Sequence, residues 1–177
     1  MELMVGAGSV AEGAPHDASS SSESFDDWVR ARQDALLRFA TLITADSDLA
    51  RDLVQDALTR MYARWSRVSR LEGPDAYARR IIVNQNVSRW RRDRRVTVVD
   101  PAEMVSTPVP GHESTISDRV TILAALARLP RDQRVAVVLR YYEDLSYQEI
   151  ATLTGVREGT VRSRVSRGIS SLEGDFR

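Results

Sequence analysis

The sequence predicts an all-α fold: two small helical domains joined by an extended linker. Three observations carry this. Apolar residues recur at spacings of three and four on both sides of the chain's middle, no strand alternation of consequence appears, and a proline-bearing stretch without sustained period separates the two halves. The 177 residues suit one ordinary domain or two small ones, enough for real cores but not for a large enzyme.

Residues 1–24 are rich in Ser, Gly, Ala and acid and almost free of large apolar groups, so they are expected to be a disordered tail. From Phe25 the pattern is helical, with Trp28, Val29, Leu36, Phe39, Ala40 and Ile43 forming a stripe that Arg32 interrupts. Asp46 or Ser47 can cap a second helix running through Trp65, whose Leu49, Leu53, Ala57, Met61 and Trp65 share a face. Its other face presents Asp52, Gln55, Asp56, Thr59 and Arg60. A turn at Gly73–Pro74 and a capping candidate at Asp75 precede a long arginine-rich helix, which closes the first unit at residue 95.

Residues 96–117 hold Pro101, Pro108 and Pro110 and read as the linker. The second unit spans 118–177. Pro130 is placed as a first helical residue, and Ser146 with Glu149 forms a capping box. Thr154–Gly155 ends that short helix, with Gly supplying a left-handed turn, and another helix follows at once. This is the helix-turn-helix form, over 146–173. Val161, Val165, Ile169 and Leu172 stack on one side of the second helix and are expected to pack on Ile150, Ala151 and Leu153. The opposite side carries Ser163, Ser166, Arg167 and Ser170, flanked by Arg162 and Arg164.

Charge sharpens the functional reading. The 25 acids and 25 bases cancel, yet the signs are segregated. Residues 73–99 carry Arg79, Arg80, Arg89, Arg91, Arg92, Arg94 and Arg95 against Asp75 and Asp93, whereas 1–24 and 100–118 carry acids and no arginine. Every basic residue is Arg, a cation that forks bidentately to phosphate or guanine. Cysteine is absent, excluding disulfides and thiolate metal sites. His16 and His112 fall in segments expected to be unstructured, so no metal site or triad is expected on them, and no cofactor is implied. No apolar run approaches the roughly 20 residues of a membrane span, and no secretory signal is legible, so the expected location is cytoplasmic.

An Arg-rich helix alone is as consistent with a solvated face as with DNA binding. A capped helix and Gly turn ahead of it put these arginines on the element that enters a major groove. Base contacts are expected toward its N-terminal half, with Arg162 the best candidate reader, Arg164 and Arg167 as phosphate anchors, and Arg157 at the turn. The central helix combines arginines with Trp90 and the amides Asn84, Gln85 and Asn86, a mixture able to track a strand and meet unpaired bases. Its bland alternative is a surface helix with Trp90 in the core.

These residues resemble bacterial sigma factors, specifically the extracytoplasmic-function group that keeps only regions 2 and 4. "ARDLVQDALTRMYARW" looks like region 2.2, "DAYARRIIVNQNVSRWRR" like regions 2.3 and 2.4, and "LARLPRDQRVAVVLRYYEDLSYQEIATLTGVREGTVRSRVSRGISSL" like region 4. The wording YARRIIVN and LRYYEDLS is nearest to the actinobacterial SigE-like subset. The resemblance implies a factor that joins core RNA polymerase, directs it to promoter DNA and helps melt it, while the polymerase performs the chemistry, so the chain is not expected to be an enzyme.

Carried over by position, the resemblance sets Asp52, Gln55 and Asp56, with Thr59 and Arg60 beside them, on the helix that docks the clamp coiled coil of the largest polymerase subunit. The loop Leu71–Ala76, with Leu71, Glu72, Gly73, Asp75 and Ala76, would capture unstacked −10 bases together with Asn84, and Arg79, Arg80, Arg89 and Arg91 would hold the strand. Arg140, Arg162, Ser163 and Ser166 match positions facing the −35 duplex, in a surface completed by Arg157, Thr160, Arg164 and Arg167. The linker would thread the RNA-exit path, and an anti-sigma factor is an expected partner.

Three stretches depart from the family pattern: Gly168, where Ala is common and Gly costs about 1 kcal/mol of helix propensity, the "VREG" helix start, and the "LEGPDA" loop. Promoter sequence therefore does not transfer. Two rival readings are a stand-alone helix-turn-helix regulator, which would bind duplex DNA tightly by itself, and a polymerase-binding adaptor without initiation activity.

Overall fold

The computed structural model describes residues 24–71, 73–96 and 115–175, with side chains described for 24–71, 73–92 and 121–174. Among them every regular element is helical: α1 Phe25–Thr44, α2 Ser47–Tyr62, α3 Trp65–Val68, α4 Pro74–Val96, α5 Thr115–Arg128, α6 Arg131–Tyr141, α7 Tyr147–Thr154 and α8 Glu158–Asp175. The expected tail, apart from Ser24, and residues 97–114 of the linker expected over 96–117 lie outside the described residues, as do His16 and His112, while position 96 ends α4 and positions 115–117 open α5.

The first unit is built by α1, α2 and α4. Ser24 caps α1 by accepting from Asp27 N, and Asp46 caps α2 by accepting from the amides of Asp48 and Leu49. The expected stripe of α1 is buried at Trp28, Leu36, Phe39, Ala40 and Ile43, with Val29 at its margin. Leu53, Ala57 and Met61 of α2 and Ala78, Ile82 and Val83 of α4 close on it. Arg32, which breaks the stripe, leans outward to Asp75 (Nε to Oδ2 3.4 Å).

Three boundaries differ from expectation. The helix expected to run through Trp65 ends at Tyr62, and Trp65 begins the separate turn α3. Trp65 stays in the same packing through rings rather than helix register: Phe25 lies 5.2 Å and Trp28 5.4 Å from it between centroids. Pro130 is the N-cap of α6 rather than its first residue. Asp75 is not a cap, because α4 already starts at Pro74; its Oδ1 accepts instead from Trp28 Nε1 at 3.1 Å.

The second unit packs α6 on α8 and α7 on α8. Val135–Leu139 of α6, Ile150 of α7, and Val161 and Val165 of α8 are buried, with Ala151, Leu153, Ile169 and Leu172 packed at the edge. Gly168 lets α8 come close to α6: a Cβ there would sit 2.6 Å from Val137 Cγ2. The two units also touch. The α1 helix packs on α6 and α4 on α7, so one buried cluster runs through both, with the rings of Phe39 and Tyr142 stacked at 6.4 Å.

Candidate nucleic-acid interface

The helix-turn-helix forms as the sequence dictates. Ser146 Oγ accepts from Glu149 N at 3.2 Å, and Glu149 Oε2 accepts from Ser146 N at 2.8 Å. The Ser146 hydroxyl and amide hold the Glu149 carboxyl below the usual carboxylate range, since both bonds favour the charged form. Gly155 takes the left-handed conformation (φ 64, ψ 40) that ends α7.

With Val161 and Val165 turned to the core, α8 exposes Thr160, Arg162, Ser163, Ser166 and Arg167, and Arg157 is exposed at the turn. Ser163 Oγ donates to its own helix at Thr160 O (2.9 Å). The cations divide into two kinds. The side chains of Arg157 and Arg167 make no hydrogen bond or ion pair among the described residues. Arg162 is held by Glu158, whose Oε1 accepts from Nε at 3.2 Å and from Nη2 at 2.7 Å. Arg140 donates to Leu145 O at 3.1 Å and lies 3.3 Å from Asp144 Oδ1.

Arg164 departs from the expected face. It is half-buried, its Nε is 3.0 Å from Asp132 Oδ2 on α6, and it lines a narrow cleft against Trp90 and Arg91 of the first unit. The reason is helical phase: position 164 follows Val161 by three and so turns with the buried stripe, not away from it.

On α4 the exposed residues Ala76, Arg80, Asn84 and Ser88 recur every four positions and so form one stripe, with Arg89, Arg91 and Arg92 exposed toward its end. Leu71 is also exposed, at 44%. Of the six positions expected to form the −10 loop, Leu71 and Gly73 precede the helix, Pro74, Asp75 and Ala76 are its first turn, and Glu72 lies outside the described residues. Asp75 spends both carboxylate oxygens on α1. The central amides separate: Asn84 is exposed, Asn86 is half-buried, and Gln85 turns inward with neither amide atom hydrogen-bonded. Trp90 is half-buried in the cleft rather than in the core.

Two arginines of this basic helix reach the second unit. Arg91 Nη2 donates to Thr154 O at 2.7 Å and to Gly155 O at 3.3 Å, covering the carbonyl end of α7. Arg79 Nε lies 3.2 Å from Glu143 Oε1. Arg80, Glu143, Gln148 and Glu149 line a groove between α4 and the helix-turn-helix, so part of the cationic stripe faces acids of the other unit.

A third surface lies on α2. Asp52, Gln55, Asp56, Thr59 and Arg60 are all exposed, in the i, i+3, i+4, i+7, i+8 pattern of one helix face. Gln55 and Thr59 border a groove with Phe25, Val29 and Tyr62. Tyr62 is 68% exposed. Sequence reasoning passed over it, although an aromatic at i+3 from Thr59 is the available signal.

Both units are similar to known proteins. Residues 28–96 match the family model "Sigma-70 region 2", and residues 119–172 match "Sigma-70, region 4". The chain belongs to the sigma-70 family. Its relatives put this sigma factor in the extracytoplasmic-function (ECF) group. It is 36% identical over 148 residues to the RNA polymerase sigma-E factor of Streptomyces coelicolor, covering 84% of this chain and 83% of that one. It is 32% identical over 149 residues to the ECF RNA polymerase sigma factor SigM of Mycobacterium tuberculosis, covering 84% and 75%. Among solved structures it resembles the sigma factor RpoE of Bartonella quintana in complex with the anti-sigma factor NepR, with a TM-score of 0.56, 28% identity, and coverage of 85% of this sigma factor and 94% of that chain.

In these terms α1–α4 are region 2 and α5–α8 region 4. Among the described residues of the sigma factor, no group of His, Cys, Asp or Glu is arranged to hold a metal, and no helix is long and apolar enough to cross a membrane.

Proposed function

We propose that this sigma factor binds core RNA polymerase through the α2 face, reads the −35 duplex with α8, captures melted −10 bases with α4 and the loop before it, and so sets where transcription starts. The observation that carries this reading is the pair of exposed cationic surfaces on two separate helical units, one of groove-fitting helix-turn-helix form and one a long helix with an amide and an exposed Leu at its loop end. A simple repressor needs only the first.

Which arginines are held and which are free supports a division of labour. Free Arg157 and Arg167 suit phosphate, where orientation matters little. Arg162, fixed by Glu158, suits a base edge, where a good bidentate contact discriminates by about 1–3 kcal/mol. On α4 the cost of unpairing is offset by holding the freed bases. The polymerase supplies the chemistry, and the sigma factor works by binding alone, in the cytoplasm.

By the same reading residues 1–24 are a tail, 25–95 region 2, 96–117 an acidic linker and 118–177 region 4. An anti-sigma partner is supported by the Bartonella quintana complex, in which a similar sigma factor is bound by one.

Run-off transcription with core polymerase on a genomic fragment library tests the proposal. Core plus this protein should yield transcripts that core alone does not. Tight duplex binding by the protein alone, without new transcripts, would favour the stand-alone regulator.

A further inference from the structure

The Tyr147 ring is within cation–π reach of two of the arginines expected to face the −35 duplex. Arg162 Cζ sits 4.5 Å from the ring centroid and Arg140 Cζ 5.5 Å from it, both within the range of a cation–π contact. Tyr147 is half-buried and packs against the core. It begins α7 directly after the Ser146 cap, so its backbone is anchored by the capping box. Its ring is therefore a fixed platform, whereas the arginines on it are long side chains with several rotatable bonds.

Glu158 holds Arg162 from another direction. Its Oε1 takes both Nε and Nη2, the long edge of the guanidinium, so Nη1 and the second Nη2 proton remain at the far end. A guanidinium held over a ring and hydrogen-bonded along one edge has little freedom left. Two parallel donors at its end match the N7 and O6 acceptors of guanine.

We propose that Tyr147 and Glu158 are positioning residues for base readout: the ring supports the face of Arg162, the carboxylate fixes its edge, and Arg162 thereby selects guanine at one position of the upstream duplex. This rests on the promoter-recognition reading above and deepens it. Arg140, tied to Leu145 O, is a second cation over the same ring. Neither Tyr147 nor Glu158 needs to touch DNA for this. What they remove is the conformational entropy that a free arginine would lose on docking.

The test uses core polymerase with the full-length protein and a template library randomised in the upstream duplex, sequencing the templates that support run-off transcription. Arg162→Ala should flatten a guanine preference at one position by tenfold or more. Tyr147→Leu, which keeps apolar volume but loses the ring, and Glu158→Gln should each weaken preference at that same position by severalfold and leave other positions unchanged. Tyr147→Phe should retain it.

Equal loss at all positions for Tyr147→Leu and Glu158→Gln, or an unchanged preference in both, would overturn the positioning roles while leaving promoter recognition intact. No transcripts with the wild-type protein would overturn the underlying reading as well. Circular dichroism checks that Tyr147→Leu folds, and if it does not, exposed Arg162 and Glu158→Gln carry the test.

Discussion

Arg79 Nε lies 3.2 Å from Glu143 Oε1, joining region 2 to region 4, yet Nε has no hydrogen-bond partner among the described residues. Glu143 is half-buried, and among the described residues no donor is hydrogen-bonded to its carboxylate. Burial pushes its carboxyl up from the ordinary value of 4.5, the Arg79 charge opposes that, and Asp75 adds to it. The cost of burying this carboxylate therefore outweighs the attraction of Arg79.

The pH dependence follows from the sign. A form with Glu143 exposed releases its proton near 4.5, while the closed form holds it to higher pH, so closure is favoured at low pH. The advantage is lost as pH rises from 4.5 through the raised value, opposite to an ion pair that strengthens as its carboxylate ionises. Glu149 runs the other way, its contribution to α7 being present above the ordinary carboxylate range and lost as pH falls through its lowered value. Comparing wild type with Glu143→Gln isolates the first effect: small-angle scattering should show wild type expanding with rising pH in this window and the variant not. An equal response in both would refute it.

Arg91 is the stronger tie. A charged donor on a carbonyl contributes more than a neutral pair, and Arg91 covers two carbonyls at the end of α7. Arg91→Met keeps the stem and removes these bonds. At the partly exposed site this should cost about 1 kcal/mol, or about fivefold in the ratio of closed to open forms. The radius of gyration should rise while helix content stays constant. Since Arg91 is also proposed to hold −10 DNA, closure and strand binding compete for it, and single-stranded DNA should expand the wild type more than the variant.

Much of this was legible in the sequence for a physical reason. Helical period puts Leu36, Phe39, Ile43, Leu53 and Met61 in one core, and cap chemistry marks Asp46, Ser146 and Gly155 whatever the surrounding fold. Pairings over long separation were not legible. That Asp75 serves Trp28 and Arg32, that Arg91 lies on Thr154, and that Arg164 turns to Asp132 each depend on how helices dock, which no local pattern encodes. A cation on a helix looks the same in sequence whether it is exposed, as Arg89 is, or faces a neighbouring unit, as Arg79 does.

Two glycines of α8 should respond oppositely to alanine. Gly159 has nothing within 4 Å of a built Cβ, so Gly159→Ala should gain up to about 1 kcal/mol of helix propensity. At Gly168 the same gain meets a 2.6 Å clash with the γ-methyl of buried Val137, which cannot swing away because a β-branched side chain in a helix has one favoured rotamer. Overpacking costs about 1–3 kcal/mol, so the net effect is destabilising. Thermal unfolding should show Gly159→Ala above wild type and Gly168→Ala below it. A rise at Gly168 would mean that α6 and α8 separate more easily than their packing implies.

Arg134 of α6 is 4% exposed, and neither its Nε nor its Nη1 is hydrogen-bonded. Burial, and secondarily Arg131, bring its guanidinium down to about 10. It is still charged at neutral pH, so its desolvation opposes folding there, a cost relieved only as pH rises past about 10. Replacing a buried charge with an apolar side chain of similar length is neutral to stabilising by about 1–4 kcal/mol. Arg134→Met should therefore raise the unfolding midpoint, by about 2–4 °C per kcal/mol in a chain of this size. A marked fall would show that the guanidinium has a partner worth more than its desolvation.

Arg167 tests the other half of the readout scheme. It is exposed, lies on the same helix face as Ser163 and Ser166, and is unpaired among the described residues. An unrestrained cation suits phosphate, whose attraction is insensitive to base identity. With holoenzyme on selected promoters, Arg167→Ala should weaken binding on all sequences alike and reduce the slope of log affinity against log salt by about 0.9, the value for one phosphate contact. Arg162→Ala should instead lose discrimination at one position. A sequence-dependent loss for Arg167→Ala would move it among the base readers, and the division between held and free arginines would then no longer separate the two roles.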